Sequence, residues 1–144
     1  LEKSLGAVAK GGTTNLVDAF QYASPITAEG FCFMNTPGYD VTSVNGMVAG
    51  GANVVCFTTG RGSAFGCKPT PSIKLATNTT MFTRMEEDMD VNCGLITDGD
   101  ASVAEMGEII FQKILATASG ERTKSEELGY GDEEFVPWHI GAVM

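Results

Sequence analysis

The sequence predicts an α/β domain with a mostly parallel sheet, and three observations carry that expectation. The run FCFMN at 31–35 is short, apolar and bounded by turn residues, as buried strands are, VVCF at 54–57 is strand-like again, and SIKLA at 72–76 is a third candidate strand. Helix-forming stretches follow the first and third of these runs, so strand and helix alternate in the βαβ manner. A length of 144 residues suits one ordinary domain, able to bury roughly two-thirds of the surface its unfolded chain exposes.

Taken in order, LEKSLGAVAK reads as a short helix closed by Gly11 and Gly12, and residues 15–23 read as either a second short helix or an edge strand. Pro25 and Gly30 bracket the connection into the strand at 31–35, which Thr36, Pro37 and Gly38 stop. Asp40 or Ser43 can cap a helix through Ala49, ended by Gly50 and Gly51, and the strand at 54–57 follows. A right-handed crossover makes those two strands parallel, so their following loops emerge on one edge. The third strand, 72–76, leads into Thr77, Asn78 and Thr79, from which a helix runs through Met81, Met85 and Met89. Ser102 and Glu105 have the spacing of a capping box, opening a helix that Gly120 closes and whose buried stripe is Val103, Met106, Ile110, Ile114 and Ala118. The stretch ERTKSEELGYGDEE reads as charged surface, and FVPWHIGAV as an apolar tail that docks back onto a core. Residues 1–30 are expected to connect from an upstream domain, and 31–144 to form the domain proper.

Composition excludes several classes. No apolar run approaches the roughly 20 residues that span a bilayer, and the opening lacks the apolar core of a secretory signal. Cys32, Cys56, Cys67 and Cys93 form no C-x-x-C pair, so neither a zinc knuckle nor a disulfide framework is indicated, and a reduced, cytoplasmic protein is expected. Cys32 and Cys56 sit in apolar runs and read as small buried hydrophobes; Cys67 stands in a loop between Gly66 and Lys68. A net charge of −9 with nine Lys and Arg argues against nucleic acid. Charge is unevenly spread, however: residues 41–85 hold no Asp or Glu but contain Arg61, Lys68, Lys74 and Arg84, a local positive field suited to a small anion.

If the three strands are parallel, the loops NTPGYD, TTGRGS and ATNT meet at their carboxyl ends, where open α/β sheets bind ligands. In Thr58-Thr59-Gly60-Arg61-Gly62-Ser63 the glycines let backbone N–H groups face an oxyanion, and arginine offers a fork that engages a carboxylate through two hydrogen bonds. The run is neither a Walker loop nor a dinucleotide fingerprint. Thr36 and Asn78 belong to the same candidate site, and Lys68 extends it. Lys74 alternates with Ile73 and Leu75 and reads as the polar side of a strand; Asp40 reads as a cap, and the single histidine, His139, as packing or surface. Asp98 and Asp100 supply only half of a calcium loop, so that segment reads as a turn, and spacing shows no metal site.

The runs KGGTTNLVDAFQYASPITAEGFCFMNTPGYD, VAGGANVVCFTTGRGSAFGCKPTPSIKLATNT, RMEEDMDVNCG, ILATASGERTKSEELG and EEFVPWHIGAVM together resemble the C-terminal region of the altronate and galactarate dehydratase family. The resemblance covers essentially the whole chain, and FTTGRGSAFGCKP is far more specific than any short motif. It implies a three-layer, Rossmann-like variant of the α/β fold within a longer protein. It also implies elimination of water from a hexonate or hexarate to give a 2-keto-3-deoxy acid, assisted by a divalent metal, iron or manganese, in the complete enzyme. The family includes the large subunit of a sulfolactate lyase, which eliminates sulfite. One departure is Asn35, where the family usually carries Asp: a neutral amide is neither a carboxylate base nor a charged ligand.

Such an elimination removes a proton beside a carboxylate, so charge grows on the carboxylate oxygens and needs cations or directed N–H groups. Arg61 with the amides of Gly60 and Gly62 can supply them, and Lys68 can hold the carboxylate or carry the proton. The expected partners are a small anionic sugar acid, upstream domains of the same chain and further copies in a homo-oligomer, with no turnover from these 144 residues alone. The competing readings are the sulfolactate lyase and a non-catalytic module that binds a sugar acid.

Overall fold

Residues 1–136 are described by a computed structural model; His139 and most of the FVPWHIGAV tail lie outside the described residues. The chain opens with helix α1 (Glu2–Ala9) and then forms a small parallel pair, β1 (Asp18–Phe20) with β2 (Cys32–Met34). Helix α2 (Asp40–Ala49) leads to the main sheet, in which β3 (Val55–Thr59), β4 (Ser72–Ala76) and β5 (Val91–Asn92) run parallel with β4 in the middle. Helix α3 (Thr79–Arg84) connects β4 to β5, and α4 (Leu95–Asp98), α5 (Val103–Ala118) and α6 (Lys124–Leu128) follow β5.

Side-chain alternation along β4 decides the layering. Ile73 and Leu75 point to one face, where they form a core with Val91 and with Met106 of α5, flanked by Ile110 and Ile114. The opposite face meets α2 and the loop after β3: Val44, Val55, Phe65 and Cys67 pack there as a second core. Helix, sheet and helix thus give the three-layer, Rossmann-like α/β arrangement with parallel strands. Ala76 lies with Met81 and Met89 in a third cluster under α3. Helix α2 also closes the small sheet, since Tyr22 donates its hydroxyl to Thr42 O at 2.8 Å and its ring lies where a Cβ on Gly46 would stand. No helix among the described residues is long and apolar enough to cross a membrane.

Several expectations are corrected. The strand at 31–35 is not buried: Met34 is, but Phe33 is 56% exposed. Its backbone pairs with β1, which places a three-residue strand, Asp18–Phe20, within residues 15–23, and it lies outside the main sheet, so β2, α2 and β3 bridge two sheets. Neither Asp40 nor Ser43 caps α2; Tyr39 holds the extended cap position, and Asp40, in the first turn, favours the positive end of the helix. Helix α3 stops at Arg84, and Met89 joins the Met81 cluster from the turn beyond it. The α5 stripe is narrower than the periodicity suggests, with Val103 and Ala118 exposed. The stretch ERTKSEELGYGDEE is not merely surface: Thr123 and Glu126 form a second capping box opening α6, and Thr123 and Ser125 are fully buried. Cys56 is exposed and Cys32 half-buried, whereas Cys67 is fully buried. Lys74 is buried too, because it faces inward over Phe65 rather than out to water.

Candidate functional site

Parallel strands deliver their following loops to one edge of the sheet. At the carboxyl end of β3, Thr59 Oγ1 accepts from the N–H groups of Arg61 at 3.3 Å and Gly62 at 3.1 Å, curling the chain into a tight turn. Gly62 sits at φ +97, and a Cβ there would stand 2.0 Å from Met85 Sδ, so both conformation and space require glycine. The loop after β4 clamps the first: Thr77 N donates to Thr59 O at 3.0 Å, and Asn78 Nδ2 to Gly60 O at 3.0 Å. The other end of the Asn78 amide caps α3, accepting from Met81 N at 2.8 Å. Its side chain is therefore a brace between two site loops, committed at both ends.

A third loop completes the corner, and it is not the one expected. After β5, Gly94 N donates to Asn92 Oδ1 at 3.0 Å, and Asn92 Nδ2 donates to Thr79 Oγ1 at 3.1 Å. The Thr79 hydroxyl in turn donates to Asp98 Oδ2. A Cβ on Gly94 would come within 2.2 Å of Thr79 N, so glycine lets the third loop close against the second. The signal for this loop was the NCG that follows the short strand, too brief for periodicity to register.

Two guanidinium groups serve the corner. Arg61 is exposed, with no carboxylate paired to it among the described residues, while Arg84 Nη2 donates to Arg61 O at 3.2 Å and so lies against the same turn. Ser63 Oγ accepts from Phe65 N at 3.1 Å and continues the loop toward the core. Beneath it Lys74, fully buried, donates from Nζ to Phe65 O at 3.3 Å. Burial pulls its ammonium pKa below the ordinary lysine value, against the opposing pull of Asp90, Asp88 and Glu134.

Thr59, Gly60, Arg61, Gly62, Ser63 and Asn78 are thus brought together. Thr36 is not linked to them: it follows β2 in the other sheet, where its hydroxyl shares a 2.8 Å hydrogen bond with Ser43. Lys68 stands further along the same loop, its Nζ 2.5 Å from Asp132 Oδ1. Two apolar grooves lie elsewhere, one of about 530 Å³ beside α1 and the other, of about 490 Å³, between β5 and α5; neither includes Arg61 or Lys68. Among the described residues no three His, Cys, Asp or Glu side chains are placed to hold a metal ion.

A parallel α/β sheet with a glycine-arginine turn at its carboxyl edge defines the class of fold, and that edge is where open α/β folds hold their ligands. The sequence comparisons then identify the family, for residues 1–143 match the family model of the D-galactarate/altronate dehydratase C-terminal region, and the chain belongs to that family. It is 37% identical over 130 residues, 90% of the chain, to galactarate dehydratase (L-threo-forming) of Escherichia coli K12. Altronate dehydratase of Bacillus subtilis is 30% identical over 126 residues, 88% of the chain. The (2R)-sulfolactate sulfo-lyase subunit beta of Chromohalobacter salexigens is 32% identical over 136 residues, 94% of the chain. The chain spans 25% of the length of each of the two dehydratases and 34% of the sulfo-lyase subunit.

Proposed function

We propose that this chain forms the carboxylate-stabilising region of a lyase that removes water from a hexonate or hexarate sugar acid to give a 2-keto-3-deoxy acid. The observation that carries the reading is the exposed Arg61 guanidinium, without an ion pair among the described residues, on a braced turn at the carboxyl edge of the parallel sheet. Removal of the proton next to a carboxylate pushes negative charge onto the carboxylate oxygens. An arginine whose backbone is fixed at that place, with Arg84 beside it, brings positive charge to where that negative charge develops. The amides of Gly60 and Gly62 stand on the same turn and can add directed donors. Lys68 holds the carboxylate or carries the proton once its ion pair with Asp132 opens. The remaining parts of the site are assigned to other regions of the complete enzyme. These include a divalent metal, iron or manganese, for which the described residues offer no cluster of three His, Cys, Asp or Glu ligands.

The likeness to the sulfo-lyase subunit over 94% of the chain favours a second reading, elimination of sulfite from sulfolactate. Both reactions need the same stabilised carboxylate, and they differ in the leaving group. Turnover of the complete protein with iron or manganese on altronate, galactarate and sulfolactate separates them: a 2-keto product supports the dehydratase, and released sulfite the lyase. Silence on all three substrates would leave a binding module.

A further inference from the structure

Away from the Arg61 corner, a second set of backbone donors converges on a carboxylate. The N–H groups of Gly66 and Cys67 both donate to Oε2 of Glu134, at 2.6 and 3.0 Å. The next amide, Lys68 N, donates to Gly131 O at 3.1 Å. Cys67 sits at φ +43, a left-handed conformation that turns successive N–H groups to one side and makes an anion-receiving nest. A non-glycine residue there costs on the order of 1–2 kcal/mol, and such strain persists where the surroundings hold it and clusters at ligand sites. The fully buried Cys67 side chain, packed with Val44, Val55 and Phe65, is what holds it. Lys68 stands on the exposed side of the nest, and the buried Lys74, which feels the charge of Glu134, lies beneath it.

The carboxylate in the nest comes from a segment of the chain itself. Residues 129–136 form neither helix nor strand, and Gly129 and Gly131 take positive φ. Phe135 and Val136 are exposed, and the Lys68–Asp132 pair is more than half exposed on both sides. Besides Glu134, the segment is held by that ion pair, by Lys68 N to Gly131 O, by Gly129 N to Glu126 O at 3.2 Å, by Tyr130 N to Ser125 O at 2.9 Å and by Asn45 Nδ2 to Val136 O at 3.1 Å, and the backbone of buried Gly131 packs against Cys67 and Lys68. A strap with so little buried apolar surface opens more readily than the core. Lifting it alone strips the buried Lys74 of a compensating charge, whereas exchanging Glu134 for another carboxylate preserves that charge and frees Lys68 for the newcomer.

We infer that the Gly66 and Cys67 amides form a second carboxylate-binding site, and that Glu134 is an internal ligand which a sugar-acid carboxylate displaces as the strap lifts. The identity of the ligand rests on the sugar-acid reading above; the nest does not.

The test compares the wild-type protein with Glu134→Ala, which empties the nest, and Glu134→Gln, which keeps a neutral acceptor in it. Thermal unfolding is followed in sodium acetate and in sodium chloride of equal ionic strength, and galactarate binding is measured by calorimetry. Acetate is expected to raise the Tm of Glu134→Ala with concentration, and to do so in neither of the other two proteins. If the strap keeps the nest closed about nine-tenths of the time, emptying it tightens galactarate binding about tenfold. Acetate acting no better than chloride on Glu134→Ala, together with unchanged galactarate affinity, would overturn the inference while leaving the sugar-acid reading intact. Acetate stabilisation with no galactarate binding to any variant would keep the nest and overturn the sugar-acid ligand. Should Glu134→Ala not fold, Asp132→Asn loosens the strap through its exposed ion pair alone and must also tighten galactarate binding; a failure to do so overturns the inference.

Discussion

Gly62→Ala tests whether the turn that presents Arg61 has the shape described. At φ +97 an alanine is strained, at a cost on the order of 1–2 kcal/mol. The new methyl would also stand 2.0 Å from Met85 Sδ and 3.0 Å from Met85 Cε, so Met85 must swing away from its packing against Met81 and Met89. Overpacking of this kind costs about 1–3 kcal/mol, toward the lower end when the obstructing group is a flexible side chain. Together the expected loss is about 2–4 kcal/mol, read as a fall in the urea midpoint at unchanged slope. The two contributions separate in a double-mutant cycle. Adding Met85→Ala removes the steric part and leaves the backbone part, so Gly62→Ala should cost only about 1–2 kcal/mol in that background. A loss below about 0.5 kcal/mol in the wild-type background, the range of an ordinary surface substitution, would refute the turn geometry and with it the placement of Arg61.

Other perturbations follow from the same structure. Because burial lowers the Lys74 pKa, the folded chain binds fewer protons than the unfolded one between the folded value and the ordinary value of about 10.4, and stability contributed by this group rises with pH across that window. Lys74→Met should flatten the slope, measured as the wild-type minus variant difference in unfolding free energy toward alkaline pH; an identical slope in both proteins would count against the buried charge. Asn78→Ala removes the α3 cap and the clamp on Gly60 O together and should cost about 1–2 kcal/mol, while Asn78→Asp, which keeps the cap but cannot donate to Gly60 O, should retain the helix and weaken sugar-acid binding. The isolated 144-residue chain, supplied with iron or manganese, is expected to turn over neither altronate nor galactarate. Product formed at the rate of the complete enzyme would move the missing groups into this region.

Much of the fold was legible because its signals are local. The strand at 72–76 matches β4 residue for residue, with five consecutive buried positions that are apolar apart from Ser72 and Lys74. The box at Ser102 and Glu105 places the start of α5, for the same two residues that make the motif make the hydrogen bonds. The second box, Thr123 to Glu126, carried the same signal and was masked by the charged residues around it. Strand partnership was not local. FCFMN has the composition of a buried strand, but β1 takes its hydrogen bonds in a separate pair, and this moved Thr36 away from the Arg61 corner. Lys74 showed the converse, since alternation located its face correctly but could not reveal that the loop carrying Phe65 and Cys67 folds over that face. Within the site, the glycine-arginine turn was readable because each residue has a chemical reason to be there, whereas the third loop at Asn92 and Gly94 emerged only once β5 was paired.

In the proposed reaction Arg61 stabilises a substrate carboxylate rather than the fold. Its guanidinium makes no ion pair among the described residues, so Arg61→Ala should leave stability within about 0.5 kcal/mol of wild type. The decisive measurement is the activity of Arg61→Ala in the complete enzyme on its sugar acid, with the unfolding midpoint recorded on the same sample. The expected result is a drop in kcat/KM of roughly a hundredfold or more, the scale of losing one charge-stabilising group, at an unchanged midpoint. Full activity with an unchanged midpoint would contradict it.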